Sequence, residues 1–313
     1  MEKRDLVREI NRLRKELNAI VLAHNYQLPE VQDIADYVGD SLELSVKAMQ
    51  SSAKYIVFAG VDFMAEQAAI LARGKTVLHP EPSSKCPMAA MITVEDVRRA
   101  RKKYPGAPVI MYVNSPAVVK AEADYVVTSS SAIKLTSQLD VDTVVFGPDR
   151  NLAEYVAEIT GKQVIPVPES GYCPVHVMIK PEHILELREK YPEALVTVHP
   201  ECIRGVRKLA DHVGSTSQMV KYVKETRGNR FIVGTEVGLL YRIRRENPSK
   251  DPIPALDSAI CVDMKKITLE KIYRSLRDRV YAVKVPRTIA NRVLRVLERS
   301  YEMLGVEIPW KKC

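Results

Sequence analysis

Short apolar runs, each bounded by polar or turn-forming residues, recur along this chain at an interval close to 87 residues. Ile20-Val21-Leu22-Ala23 is answered by Val109-Ile110-Met111-Tyr112 and by Leu195-Val196-Thr197-Val198. Runs of this length and β-branched content predict buried parallel strands. A second set, Tyr55-Ile56-Val57-Phe58, Thr143-Val144-Val145-Phe146 and Phe231-Ile232-Val233, closes on Gly60, Gly147 and Gly234, spaced by 87 and 87. Two positions past each glycine stands an acid: Asp62, Asp149 and Glu236. A third set comprises Thr76-Val77-Leu78, Gln163-Val164-Ile165 and Ile253-Pro254-Ala255, the last weakened as a strand by its proline. Helical segments separate the runs.

The pattern predicts three β-α-β-α-β units, residues 1–87, 88–174 and 175–263, with a helical, basic segment 264–313 packing back on the first. Alternating strands and helices favour a parallel sheet covered on both faces. The expected fold class is α/β, with three homologous three-layer α/β/α domains arranged about a pseudo-threefold axis. Active sites in such sheets lie at the carboxyl ends of the strands.

Polar chemistry follows the same period. His24 and Tyr26, Tyr112 and Asn114, and His199 and Glu201 end the three first strands. Asp36, Asp124 and Asp211 recur in related stretches, each with a hydroxyl residue five positions on: Ser41, Ser129 and Thr216. Together these donors and acceptors suit a phosphate or two carboxylates. A carboxylate confined there beside a metal can have a raised pKa and exchange protons near neutral pH, but sequence alone fixes no such shift.

Three of the five cysteines obey the period: Cys86, Cys173 and Cys261, separated by 87 and 88. A buried cysteine is commonly a small hydrophobe. These three sit instead in turn-like contexts such as Ser84-Lys85-Cys86-Pro87 and Gly171-Tyr172-Cys173-Pro174, which favours metal ligation. Structural zinc takes four protein ligands. A 4Fe–4S cube held by three thiolates leaves one iron open as a Lewis acid, which suggests dehydration of a small hydroxy acid. Cys202 and Cys313 fall off the period; Cys202 is expected to line the cavity without binding iron, and Cys313 to be exposed.

Composition narrows the function classes. Hydrophobic residues at 46% and charged residues at 27% are the balance of a globular protein. No run of about 18 apolar residues predicts a membrane span, and the N-terminus lacks a secretory apolar stretch, so the cytoplasm is expected. The net charge of +8, from 47 basic against 39 acidic residues, suits small anionic substrates. Without an aromatic-studded basic strand or a helix-turn-helix, nucleic acid is not the expected partner. A different cluster-dependent hydro-lyase and an iron–sulfur sensor remain alternatives on these residues alone.

The segments His24-Asn25-Tyr26-Gln27, Tyr112-Val113-Asn114-Ser115, Thr128-Ser129-Ser130, Gly171-Tyr172-Cys173-Pro174-Val175-His176, His199-Pro200-Glu201-Cys202 and Gly214-Ser215-Thr216 resemble the quinolinate synthase family over almost the whole chain. The resemblance implies an iron–sulfur enzyme of NAD biosynthesis that condenses iminoaspartate with dihydroxyacetone phosphate to quinolinate, phosphate and water. It implies one 4Fe–4S cluster on Cys86, Cys173 and Cys261, and proton transfer by Tyr26 and Glu201, with His24 beside them. His24, Ser41, Tyr112, Val113, Asn114, Ser129, His199, Pro200, Glu201 and Thr216 would bind substrate, with His176 a lesser positioning group. An enzyme that produces iminoaspartate is the implied functional partner. The loops around Pro29 and Ser258 are the expected lids.

Overall fold

A computed structural model describes residues 2–308; Cys313 lies outside them. The first repeat runs α1 (Lys3–Leu17), β1 (Ala19–His24), α2 (Pro29–Ile34), β2 (Tyr37–Gly39), α3 (Ser41–Gln50), β3 (Tyr55–Ala59), α4 (Asp62–Leu71) and β4 (Thr76–Leu78). The second runs α5 (Val94–Lys103), β5 (Val109–Tyr112), α6 (Ala117–Lys120), β6 (Tyr125–Val127), α7 (Ala132–Gln138), β7 (Thr143–Gly147), α8 (Arg150–Thr160) and β8 (Gln163–Pro166). In the third are α9 (Pro174–Met178), α10 (Pro181–Lys190), β9 (Leu195–Val198), α11 (Arg204–Arg207), β10 (His212–Val213), α12 (Thr216–Glu225), β11 (Arg230–Gly234), α13 (Gly238–Glu246) and β12 (Asp251–Pro254). Three helices follow: α14 (Val262–Lys265), α15 (Leu269–Asp278) and α16 (Arg287–Leu304).

The sheets are four-stranded, in the orders β2-β1-β3-β4, β6-β5-β7-β8 and β10-β9-β11-β12. The α/β class with three similar parallel domains is therefore observed. Each repeat has one strand more than the periodicity predicts. The additional strands, β2, β6 and β10, span only two or three residues, too few to carry an alternating pattern. They form at the recurring Ala-Asp-Tyr/His-Val stretches. There Asp36 Oδ2 accepts from the Val21 amide and Asp211 Oδ2 from the Val196 amide, both at 2.7 Å, tying the segment to the first strand. β12 begins at Asp251, two residues earlier than expected, and tolerates Pro252 and Pro254 because it is the edge strand.

The shared order places the first and third strands of each repeat side by side, with the connections departing to opposite sides. Between two such strands, at their carboxyl ends, an open α/β sheet leaves a crevice. The glycines there answer to close packing: a Cβ on Gly234 would meet Val198 Cγ1 at 2.7 Å, and one on Gly147 would meet the Val167 carbonyl oxygen at 1.9 Å.

Two compact units share these elements. One unites the first repeat with Val113–Val126 and the C-terminal helices; the other comprises Met91–Tyr112 and Val127–Cys261. In the first, Leu6, Ile10 and Leu13 repeat at helical spacing on α1 and bury against Val21, Ala23 and Val57 of the sheet and Ile267, Leu269, Ile272 and Leu276 around α15. α16 packs on α4 and α6. In the second, Val196, Val198, Cys202, Val206 and Ile232 belong to one core cluster.

An 87-residue shift carries Lys120 onto Arg207 and Gln67 onto Glu154. Both pairs touch: Lys120 Nζ donates to Gln67 Oε1 at 3.0 Å, and Arg207 Nη2 lies 2.8 Å from Glu154 Oε2. The arginine has a carboxylate, whereas the lysine, 1% exposed, has a neutral amide. Burial pushes the Lys120 pKa down to about 7, against the weaker opposing charges of Glu66 and Asp62. The unfolded chain thus holds this proton up to about pH 10.5 and the folded chain only to about pH 7. Stability should therefore rise with pH across that window, by on the order of 3–5 kcal/mol in the limit. Lys120→Met should raise the melting temperature at pH 7 and flatten the rise toward pH 10. A variant with the wild-type pH profile of chemical denaturation would contradict the assignment.

Candidate active site

The polar pairs lie where the first strands end. His24 is the last residue of β1 and is buried; the Tyr26 amide turns back to donate to its Nδ1 at 3.2 Å. The two rings meet edge to face at 4.6 Å, and Lys265 Nζ donates to the Tyr26 carbonyl. His199, one residue beyond β9, repeats the turn: the Glu201 amide donates to its Nδ1 at 3.3 Å. An accepting Nδ1 leaves the proton of a neutral imidazole on Nε2, so both rings are fixed in tautomer as well as direction.

Around Glu201 a buried polar cluster closes. Tyr112, the last residue of β5, donates its hydroxyl to Glu201 Oε1 at 2.6 Å. His176 Nδ1 lies 2.8 Å from Glu201 Oε2, and His176 Nε2 lies 2.9 Å from Thr235 Oγ1. The His176 ring stacks on His199 with centroids 4.5 Å apart. His176, Glu201, His199 and Tyr112 are all no more than 4% exposed.

Burial alone would raise the Glu201 pKa. The imidazoles of His176 and His199 and the hydroxyl of Tyr112 around it outweigh burial, holding the carboxyl at about 2. The carboxyl thus lies below its ordinary value despite its burial, because the surrounding imidazoles and hydroxyl favour the ionised form. Its buried neighbour Asp149 goes the other way, pushed up by burial and by the Glu201 charge. Burial drives His199 down to about 3, so its imidazole is neutral at pH 7.

Of the sequence-predicted residues, Tyr112, His199 and Glu201 come together in this cluster, and His24 contacts Tyr26 in the other unit. Ser41 and Thr216 each begin a helix, after Asp40 and Ser215 whose side chains cap the first turns of α3 and α12. Val113, Pro200 and Thr216 are buried; Asn114 and Ser129 are half-buried. His176, a lesser expectation, stands at the centre. Thr235 carried no sequence signal beyond its place next to a periodic glycine.

Cys86, Cys173 and Cys261 are half-buried. Atoms of Cys173, His176 and Glu201 lie within 4.8 Å of one another, a grouping able to hold a metal ion. Cys202 belongs to the apolar core of its repeat, fully buried, with Sγ 3.4 Å from the Gly234 carbonyl it donates to. Burial pushes its thiol far up, as for a small hydrophobe that stays protonated.

His199 and Glu201 are both held below their ordinary values of 6.5 and 4.5, so the unfolded chain takes up these protons first as pH falls. The stability they contribute is complete above pH 6.5 and is lost progressively toward pH 2. Urea midpoints should fall as the pH drops from 7 to 4. His199→Gln should remove a part worth on the order of 2–4 kcal/mol. A midpoint equally steep in pH for both proteins would contradict the buried neutral imidazole.

Residues 8–302 match the family described as NadA, quinolinate synthetase A protein. Proteins named quinolinate synthase are similar over nearly their full length. That of Pyrococcus abyssi is 52% identical over 299 residues, covering 96% of this chain and 99% of the relative. The Thermococcus kodakarensis protein is 52% identical over 303 residues, 97% of this chain and 100% of the relative. The Thermotoga maritima protein is 48% identical over 300 residues, 96% and 100%. No helix among the described residues is long and apolar enough to cross a membrane. On these likenesses, which cover nearly its whole length, the chain belongs to the quinolinate synthase family.

Proposed function

We propose that this chain condenses iminoaspartate with dihydroxyacetone phosphate to quinolinate, with release of phosphate and water, in the cytoplasm. Repeats 1–87, 88–174 and 175–263 are its domains, and 264–313 belongs with the first. The observation that best supports the reading is the buried contact set Tyr112–Glu201–His176–His199 beside Cys173. A carboxylate with two imidazoles and a phenol, the His199 tautomer set by a backbone donor, is equipped to move protons at a small anionic substrate.

Cys86, Cys173 and Cys261 are the proposed ligands of one 4Fe–4S cluster. The donor set fits: thiolates are the soft ligands such clusters take, and each thiol stands in a half-buried loop rather than in the core. When bound, a cluster with one iron lacking a thiolate supplies a Lewis acid for a substrate oxygen.

The remaining roles fall to the chain itself. Glu201, ionised at neutral pH, accepts a proton and returns it; Tyr112 and His176 hold its two oxygens apart and oriented. His199, neutral with its Nε2 hydrogen, donates to a substrate carboxylate or phosphate. In the other unit His24 does the same, and Tyr26 serves proton transfer. Ser41, Val113, Asn114, Ser129, Pro200 and Thr216 complete the substrate-binding surface. An enzyme producing iminoaspartate is the functional partner.

Turnover is read as quinolinate formed together with inorganic phosphate from the two substrates. Cys173→Ala should abolish both products, while Cys202→Ala, a core change, should keep the chemistry and lower stability. Glu201→Gln should retain metal and lose most of the rate, by roughly 100-fold or more. Normal turnover in Cys173→Ala, or an unchanged rate in Glu201→Gln, would contradict these roles.

A further inference from the structure

The repeat sets a carboxylate at one station three times, and the chemistry above makes no use of it. Asp62 Oδ1 accepts from the Phe63 amide at 2.9 Å and from the Cys86 amide at 3.2 Å. Asp149 accepts from the Leu152 amide at 2.7 Å through Oδ1 and from the Cys173 amide at 3.0 Å through Oδ2. Glu236 accepts from the Gly238 amide at 2.7 Å through Oε2 and from the Cys261 amide at 3.2 Å through Oε1. Each acid thus joins the helix start behind the third strand to the backbone of a periodic cysteine.

A second bond runs beside each of these. The Ser84 carbonyl accepts from the Asp62 amide at 3.0 Å, that of Gly171 from the Arg150 amide at 2.9 Å, and that of Ala259 from the Val237 amide at 3.0 Å. The accepting residue is always two before the cysteine, so every cysteine loop is clasped at two points. The loops span 24, 24 and 25 residues from acid to cysteine. The longest carries glutamate, the acid with one more methylene. Asp149 and Glu236 are fully buried, an unfavourable place for a carboxyl group unless its hydrogen bonds are needed there.

We propose that Asp62, Asp149 and Glu236 are positioning residues that fix the three cysteine loops, so that each thiolate is held in place for its metal centre. The assignment rests on the cysteines being cluster ligands, as read above. Partners of this kind, one bond removed from the metal, orient the ligand and tune how tightly it holds.

The test compares Glu236→Ala with Glu236→Gln in the full chain, and Asp62→Ala with Asp62→Asn at the half-buried station. Iron release to a chelator is followed anaerobically from reconstituted protein, and amide exchange at the neighbouring cysteine is followed in the metal-free protein. The alanine variants should release iron roughly 10–100-fold faster and lose amide protection to a similar degree. Asp62→Asn, whose one side-chain oxygen still accepts both amides, should stay within about threefold of wild type, whereas Glu236→Gln can keep only one of its two bonds and should fall between wild type and alanine. Should Glu236→Ala fail to fold, the Asp62 pair decides. Alanine variants with wild-type iron release and wild-type protection would overturn the proposal, as would an Asp62→Asn variant as impaired as Asp62→Ala. Wild-type protein that takes up no cluster would overturn the functional reading instead, and amide exchange would still decide whether the acids hold the loops.

Discussion

A parallel sheet ordered second-first-third-fourth sends its chain away from the first and third strands toward opposite faces. That constraint leaves a gap beyond the carboxyl ends of two adjacent strands. Here it operates three times, and the chemistry-bearing residues gather accordingly. His24, Tyr112 and His199 end or follow the first strands, while Gly60, Gly147 and Gly234 end or follow the third. Gly147 and Gly234 allow close approach of the neighbouring backbone and strand, and the acids two residues past all three glycines reach from the third strand to the cysteine loops.

Burial makes the polar groups at these ends interdependent. Glu201 stays ionised although buried because Tyr112 and His176 contact its oxygens; with either removed, desolvation would favour its protonated form. Burial, and after it the Glu201 charge, raises the pKa of Asp149, whose carboxyl oxygens accept two backbone amides. Low local dielectric strengthens every contact in such a network and raises the cost of an incomplete one. The same physics explains why Lys120, whose counterpart Arg207 has carboxylate partners, yields its proton so readily.

Much of this was legible in the sequence because the repeat is long and regular. One apolar run leaves helix and strand ambiguous, but three aligned runs with matching glycines do not. The cysteine loops and strand-end pairs were legible for the same reason. What escaped were features without periodicity of their own. β2, β6 and β10 are too short to alternate. The central place of His176 depends on a tertiary contact with Glu201, and Thr235 matters only through its 2.9 Å approach to that histidine. Cys202 read as a cavity residue because it adjoins His-Pro-Glu, yet the turn after His199 points it into the apolar core. The periodic acids were visible, but their purpose was not, since hydrogen bonds across 24 or 25 residues leave no local mark.

The central claim is that three thiols at equivalent stations serve one iron–sulfur cluster. Iron and acid-labile sulfide measured on anaerobically purified protein test it most directly. About four of each per chain are expected, lost together when Cys86, Cys173 or Cys261 is replaced and kept when Cys202 is replaced. Protein that contains neither element after anaerobic reconstitution, or that keeps both with Cys261 replaced, would contradict it.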